Sequence, residues 1–276
     1  MHHALEAALR LGCDAVQVFV KNQRQWRATD LNPADLERWH TLLASSGLRP
    51  PIAHATYLIN LAAPDRRLHA RSRAMLAEEL LRCEQLGIPY LVVHPGSAGG
   101  SSIRAAIARV SRALNHIFAR HPALRTMALL ETTAGQGKSL GRSFDELAAI
   151  IAGVEEPQRL GICIDSCHVF AAGYDIRRLA GYEDMVARAV RTVGLERIRC
   201  WHMNDSRCPC GSHVDRHAHI GQGKLGRAAF ANILADPRFL GVPMILETPK
   251  GHDARGRDFD ELNLRRLRAI AARAAL

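Results

Sequence analysis

The sequence predicts an α/β chain folded as a TIM (β/α)8 barrel that lacks its first β-strand, forming one domain over residues 1–276. Three observations lead there. Short apolar runs alternate with longer amphipathic segments, at intervals of about 35 to 45 residues. Seven such runs are present but eight helical segments, because the chain opens directly on the helical pattern "HHALEAALRLG". No glycine-rich loop follows an early run, as a dinucleotide-binding doubly wound sheet would require.

The runs are taken in order. "AVQVFV" (15–20), "PIAHA" (51–55), "YLVVHP" (90–95), "MALLET" (127–132), "LGICID" (160–165), "RIRCWHM" (197–203) and "VPMILET" (242–248) are brief and rich in branched residues. Such runs suit parallel strands buried on both faces. Helices fall between them. "PADLERWHTLLASSG" starts after Asn-Pro and stops at a glycine. "SFDELAAIIAG" starts at Ser143, with Glu146 three residues on, the spacing of a reciprocal cap. "DFDELNLRRLRAIAARAAL" closes the chain as a basic amphipathic helix.

Composition narrows the class. With 47% hydrophobic residues the 276-residue chain can bury a large core. No apolar run reaches the roughly 18 residues of a membrane span, and Glu6, Arg10 and Asp14 break any secretory segment. A soluble, cytoplasmic protein is expected. The net charge of +10 favours polyanionic partners. Seven cysteines, an odd number, are expected to be reduced thiols outside the active site. The Cys208-Pro-Cys210 pair is too closely spaced for a zinc knuckle.

The strand ends carry the chemistry. His54, His94, Glu131, Asp165 with His168, His202, and Glu247 stand at or just past the C-terminal ends of six of the seven runs. In a barrel those ends converge on the face that carries active sites. Asp215 and His217, two residues apart in "GSHVDRHAHIGQG", point the same way if that segment is extended. Any one of these histidines would ordinarily be a hydrogen-bonded core residue. Any one of the glutamates could cap a turn. Together, five imidazoles and four carboxylates on one face require cations, because unpaired buried charge is costly. Nitrogen and oxygen donors without thiolate point to zinc, manganese or iron, and nine ligands suggest three ions.

"KNQRQW" (21–26), "HATYLINLA", "VVHPGS", "LLETTAGQG", "ICIDSCHVFAAGYD", "HMNDS", "GSHVDRHAHIGQG" and "LETP" resemble the endonuclease IV family from about residue 3 to the end. These are apurinic/apyrimidinic endonucleases of base-excision repair. The resemblance implies a TIM barrel holding three Zn2+ ions, with Mn2+ or Fe2+ as possible substitutes. It assigns His54, His94 and Glu131 to the first ion. Glu131 bridges to a second, completed by Asp165, His202 and Glu247, and His168, Asp215 and His217 hold the third. Water activated between the first two ions would attack the phosphate 5′ to an abasic site in double-stranded DNA. That leaves a 3′-hydroxyl and a 5′-deoxyribose phosphate, and blocking groups on 3′ ends are a further substrate class. Glu131 and Glu247 are the catalytic carboxylates, positioning the nucleophile. Arg24 and Tyr57 match residues that enter the duplex at the lesion; for Tyr57 the alternative is core packing. Gly221, Gly223 and Lys224 would allow close approach to a phosphate or form a plain turn, and His213 and His219 lie outside the ligand set. A monomer without membrane or obligate protein partner is implied. Family members begin with a strand and glycine-rich turn that this chain does not show, which predicts a competent metal site on a weakened scaffold. Two rival functions remain: a metal-dependent sugar isomerase or epimerase on the same barrel, with one or two ions, and an inactive module that binds DNA lesions.

Overall fold

The computed structural model describes residues 1–274. They form two compact units, residues 1–131 with 149–161, and 132–148 with 162–274.

The first unit opens with α1 (His2–Arg10), which buries Leu5 and Ala8. Strand β1 (Gln17–Val18) follows, then α2 (Pro33–Ser46). The Asn-Pro start and glycine stop of α2 behave as the sequence predicts. Asn32 Oδ1 accepts the Ala34 N–H at 2.9 Å, and Gly47 ends the helix at φ 68°. Strand β2 (Ile52–His54), α3 (Arg66–Leu86), β3 (Tyr90–Val93), α4 (Ile103–Arg120) and β4 (Met127–Glu131) complete the alternation. The four strands are parallel in chain order, with Val18 beside Ala53, His54 beside Val92, and Val93 beside Leu130. Ile52, Leu91, Val92, Ala128 and Leu129 are fully buried, which is why these runs show no polar alternation. Trp39 of α2 is also fully buried and donates its indole N–H to Leu86 O at 2.8 Å.

Helix α5 (Phe144–Ala152) carries half of the predicted reciprocal cap. Ser143 Oγ accepts the Glu146 N–H at 3.3 Å. The Glu146 carboxylate instead takes the Gly141 N–H at 2.9 Å and Arg142 Nε at 3.1 Å, fastening the preceding loop.

The second unit holds most of β5 (Leu160–Asp165), then α6 (Ser166–Ala172), α7 (Leu179–Val193) and β6 (Ile198–His202). A short antiparallel ribbon, β7 (Asp205–Ser206) with β8 (His217–Ala218), precedes α8 (Gly226–Leu234), β9 (Met244–Ile245) and α9 (Phe259–Ala274). Strands β5, β6 and β9 are parallel neighbours. Trp201 of β6 meets Phe239 edge-on with ring centroids 5.2 Å apart. The ribbon is absent from the sequence reading, since two-residue strands carry no period. Among the described residues no helix is long and apolar enough to cross a membrane.

Candidate metal centre

Strand register sets the first cluster. His54 lies opposite Val92, and Val92 opposite Leu129. Side chains two residues apart on a strand share a face, so His94 and Glu131 point the same way as His54. The result is convergence on one atom. Glu131 Oε2 lies 3.1 Å from His54 Nε2 and 2.9 Å from His94 Nε2, and the glutamate is fully buried.

The second unit repeats this logic. Asp165 pairs directly with His202, and His202 with Ile245, so Glu247 two residues on joins the same face. His202 Nδ1 is 3.1 Å from Glu247 Oε2 and 3.9 Å from Asp165 Oδ2. The β7–β8 ribbon folds residues 215–217 back. It sets His217 Nε2 at 3.3 Å from Asp215 Oδ1 and 3.7 Å from Asp165 Oδ2. His168 Nε2 reaches Asp215 Oδ2 at 3.1 Å. His54, His94 and Glu131 are grouped closely enough to hold an ion, and so are His168, Asp215 and His217.

The hydrogen bonds decide what these atoms can do. His54 Nδ1 donates to Ala55 O at 2.7 Å, His168 Nδ1 to Thr132 O at 2.8 Å, and His217 Nδ1 to Glu247 O at 3.1 Å. A carbonyl only accepts, so in each neutral ring the proton is on Nδ1 and Nε2 carries the lone pair. Those lone pairs face carboxylate oxygens, acceptor against acceptor. His217 Nε2 is buried with no hydrogen-bond partner. A cation between the groups would satisfy both sets of acceptors, and outer N–H groups held by carbonyls are how metal-binding histidines are oriented. The donor set of imidazole nitrogen and carboxylate oxygen fits a divalent transition cation.

Asp165 caps a helix with one carboxylate oxygen and turns the other toward the histidines. Its Oδ1 accepts the His168 N–H at 2.8 Å and so caps α6, leaving Oδ2 toward His202 and His217. Three further residues, which the sequence reading did not single out, position this set. Asn204, fully buried, donates Nδ2 to Asp165 Oδ2 at 2.6 Å and accepts the Glu247 N–H at 2.8 Å. Ser166 Oγ accepts the Asn204 N–H at 2.9 Å, and Thr132 Oγ1 takes the Asp165 N–H at 2.9 Å. Only "HMNDS" hinted at Asn204; its partners lie about forty residues away on either side of the motif.

Tyr57 is 60% exposed, with its ring centroid 5.4 Å from that of His54, so core packing does not account for it. Arg24 is exposed on a loop folded over Lys21, whose ammonium binds the Asn22 and Gln25 carbonyls. Thr56, between His54 and Tyr57, donates its hydroxyl to Gln23 O. Its N–H is shared by both carboxylate oxygens of Glu79, at 3.1 and 3.3 Å.

Burial pushes the Glu79 carboxyl from 4.5 up to about 7. A folded-state value above the unfolded one stabilises at low pH, and the contribution is lost as pH rises from about 4.5 through about 7. Glu79→Gln is therefore expected to flatten the fall in melting temperature across that window. Parallel pH–Tm curves for the two proteins would contradict it.

Burial raises Cys163 well above its ordinary value and carries Cys167 to about 12. Gly223 is required sterically, because a Cβ there would lie 2.3 Å from Ser206 O. Gly221, at φ 70°, makes a turn. His213 Nδ1 donates to Ala134 O at 2.9 Å, and His219 Nδ1 faces Asn263 Nδ2 at 3.0 Å, both apart from the ligand groups.

A parallel strand–helix chain with histidine and carboxylate side chains gathered at its strand ends fits a class, the xylose isomerase-like TIM barrels, and the model of that family matches residues 5–269. Within it the chain belongs to the endonuclease IV family. It is 48% identical over 260 residues to a probable endonuclease 4 of Chloroflexus aurantiacus, covering 94% of this chain and 90% of the relative. It is 45% identical over 273 residues to a probable endonuclease 4 of Geobacter sulfurreducens, covering 99% and 91%. The crystal structure of endonuclease IV from Thermus thermophilus superposes with TM-score 0.84 at 39% identity, covering 98% of this chain and 94% of that one. A D-tagatose 3-epimerase-like protein, 17% identical with TM-score 0.74, shares the fold alone.

Proposed function

We propose that this protein is a DNA-repair endonuclease that hydrolyses the phosphodiester 5′ to abasic sites, with nine side chains holding three divalent cations. His54, His94 and Glu131 take the first, Asp165, His202 and Glu247 the second, and His168, Asp215 and His217 the third. Zinc suits tetrahedral nitrogen and oxygen donors best, and manganese or iron would fit the same set. The observation that carries this reading is that His54, His168 and His217 turn Nε2 onto carboxylates while Nδ1 of each ring sits on a carbonyl.

Divalent cations, when bound, would supply Lewis acidity to the phosphate and to the attacking water. The chain supplies position. Glu131 and Glu247 orient the nucleophile and balance charge. Asn204 keeps Asp165 and Glu247 at a constant separation through its two amide contacts. The exposed Tyr57 ring and the Arg24 guanidinium enter the duplex where a base is missing, a gap an aromatic face or planar cation can fill. The same reading carries a monomer that works in the cytoplasm on double-stranded DNA.

The test is a duplex with one tetrahydrofuran analogue of an abasic site. Zinc-loaded protein should carry three ions per chain and cut 5′ to the analogue. Chelation should abolish cutting and added zinc restore it. Cutting that survives chelation would overturn the reading. Tight binding without a nick in zinc would mark a lesion-binding module, and one ion per chain with sugar isomerisation would mark an epimerase.

A further inference from the structure

The first unit carries a cationic surface that the metal centre does not use. Helices α3 and α4 have no acidic residue between 66 and 77 or between 103 and 120, yet those stretches hold eight arginines. Arg71 and Arg73 lie on α3, and Arg104, Arg109 and Arg112 on α4. Among the described residues none of these five makes an ion pair with a carboxylate. Arg104 and Arg112 are exposed. Arg109 is anchored, its Nε on Ala62 O at 2.8 Å and its far end on Ser101 Oγ.

The two helices present their charge to each other. His69 of α3 reaches Arg109 O at 3.3 Å. Burial first, and then the cations of Arg73, Arg109 and Arg112, hold its imidazole below the ordinary value. His116 of α4 is lowered in the same way, by burial and then by Arg73 and Arg120. Uncompensated like charge on packed helices is unfavourable unless a polyanion meets it. The patch also continues into the loop that carries Arg24, since the Arg71 guanidinium sits over the Trp26 ring at 4.3 Å from its centroid.

We infer that the α3–α4 face is a second, sequence-independent binding surface for the phosphate backbone of duplex DNA, extending from the Arg24 loop along the outside of the first unit. It would hold undamaged duplex while the protein searches for lesions or grips the flank of one. The partner is duplex DNA, because several guanidiniums on two neighbouring helices, none paired with a carboxylate, suit the repeated phosphates of a backbone. This inference shares only that partner with the proposed function and is read on undamaged DNA, so the two fail separately.

The experiment compares Arg73→Ala/Arg104→Ala/Arg112→Ala with a matched control, Arg10→Ala/Arg191→Ala/Arg273→Ala, which lowers net charge equally. Binding to an undamaged duplex of about 40 base pairs is titrated against salt. If the three arginines each neutralise one phosphate, the slope of log K against log salt falls by about 2.7, and affinity at low salt drops about tenfold or more. The control should retain both, as should a triple Arg→Lys variant, and incision of a short abasic duplex should be unchanged. An unaltered slope and affinity would overturn the inference. So would an equal loss in the control, an equal loss of incision on the short duplex, or weakened binding of RNA with duplex binding intact.

Discussion

Glu131→Gln is expected to lower kcat/KM for abasic-site incision by at least about a thousandfold, equivalent to about 4 kcal/mol of transition-state stabilisation. Glu131 Oε2 is the atom on which His54 Nε2 and His94 Nε2 converge, at 3.1 and 2.9 Å. Glutamine keeps the shape and removes the negative charge, so the cation this triad would hold loses its anionic ligand. Removing the charge also relieves the apo protein of a buried carboxylate. The gap between the melting temperatures of zinc-loaded and chelated protein should therefore narrow, by the linkage of binding to stability. Elemental analysis should show one ion fewer per chain, with an unchanged circular dichroism spectrum. A variant that keeps full metal content and loses less than about tenfold in activity would remove Glu131 from the ligand set.

Asp205→Ala is expected to destabilise the protein by roughly 3–5 kcal/mol, the cost of stripping a buried carboxylate from its donors. Asp205 is fully buried and accepts four backbone N–H groups: Ser206 at 2.8 Å, Gly223 and Leu225 at 3.0 Å each, and Gly226 at 3.4 Å. It pins "GQGKLG" against the β7–β8 ribbon, where Ser206 pairs with His217. Alanine leaves those N–H groups without an acceptor. Asparagine retains one acceptor oxygen and should recover part of the loss. Hydrogen exchange at Gly223 and Leu225 should rise ahead of the core, and one ion should be lost with the freed ribbon. A urea-melt change below about 1 kcal/mol would show that the loop is held by something else.

The two carboxylates differ in how far local sequence defines them. Glu131 was legible because it ends an apolar run, and strand ends converge on one face in a barrel. Asp205 sits in "HMNDS", which marks a family motif, but nothing in its local pattern reveals a buried acceptor for residues 223–226. Glu79 lies in an ordinary helical pattern, and only packing turns both its oxygens onto the Thr56 N–H. Strand extents depend on packing for the same reason. The run 15–20 contributes only Gln17–Val18 to the ladder, because the neighbouring strand, not hydrophobicity, decides where pairing stops.

By itself the sequence determined the order of the parallel strands and helices and the kinds of side chain at the strand ends, since both depend on periodicity and residue type along a local stretch. The tertiary structure decided which atoms of those side chains remain available. Ala55, Thr132 and Glu247 carbonyls fix the tautomers of His54, His168 and His217, and Asn204 ties Asp165 to Glu247 across three separate segments. A lone pair's direction depends on the partner that holds the other side of the ring, and for most of these residues that partner is far away in the chain.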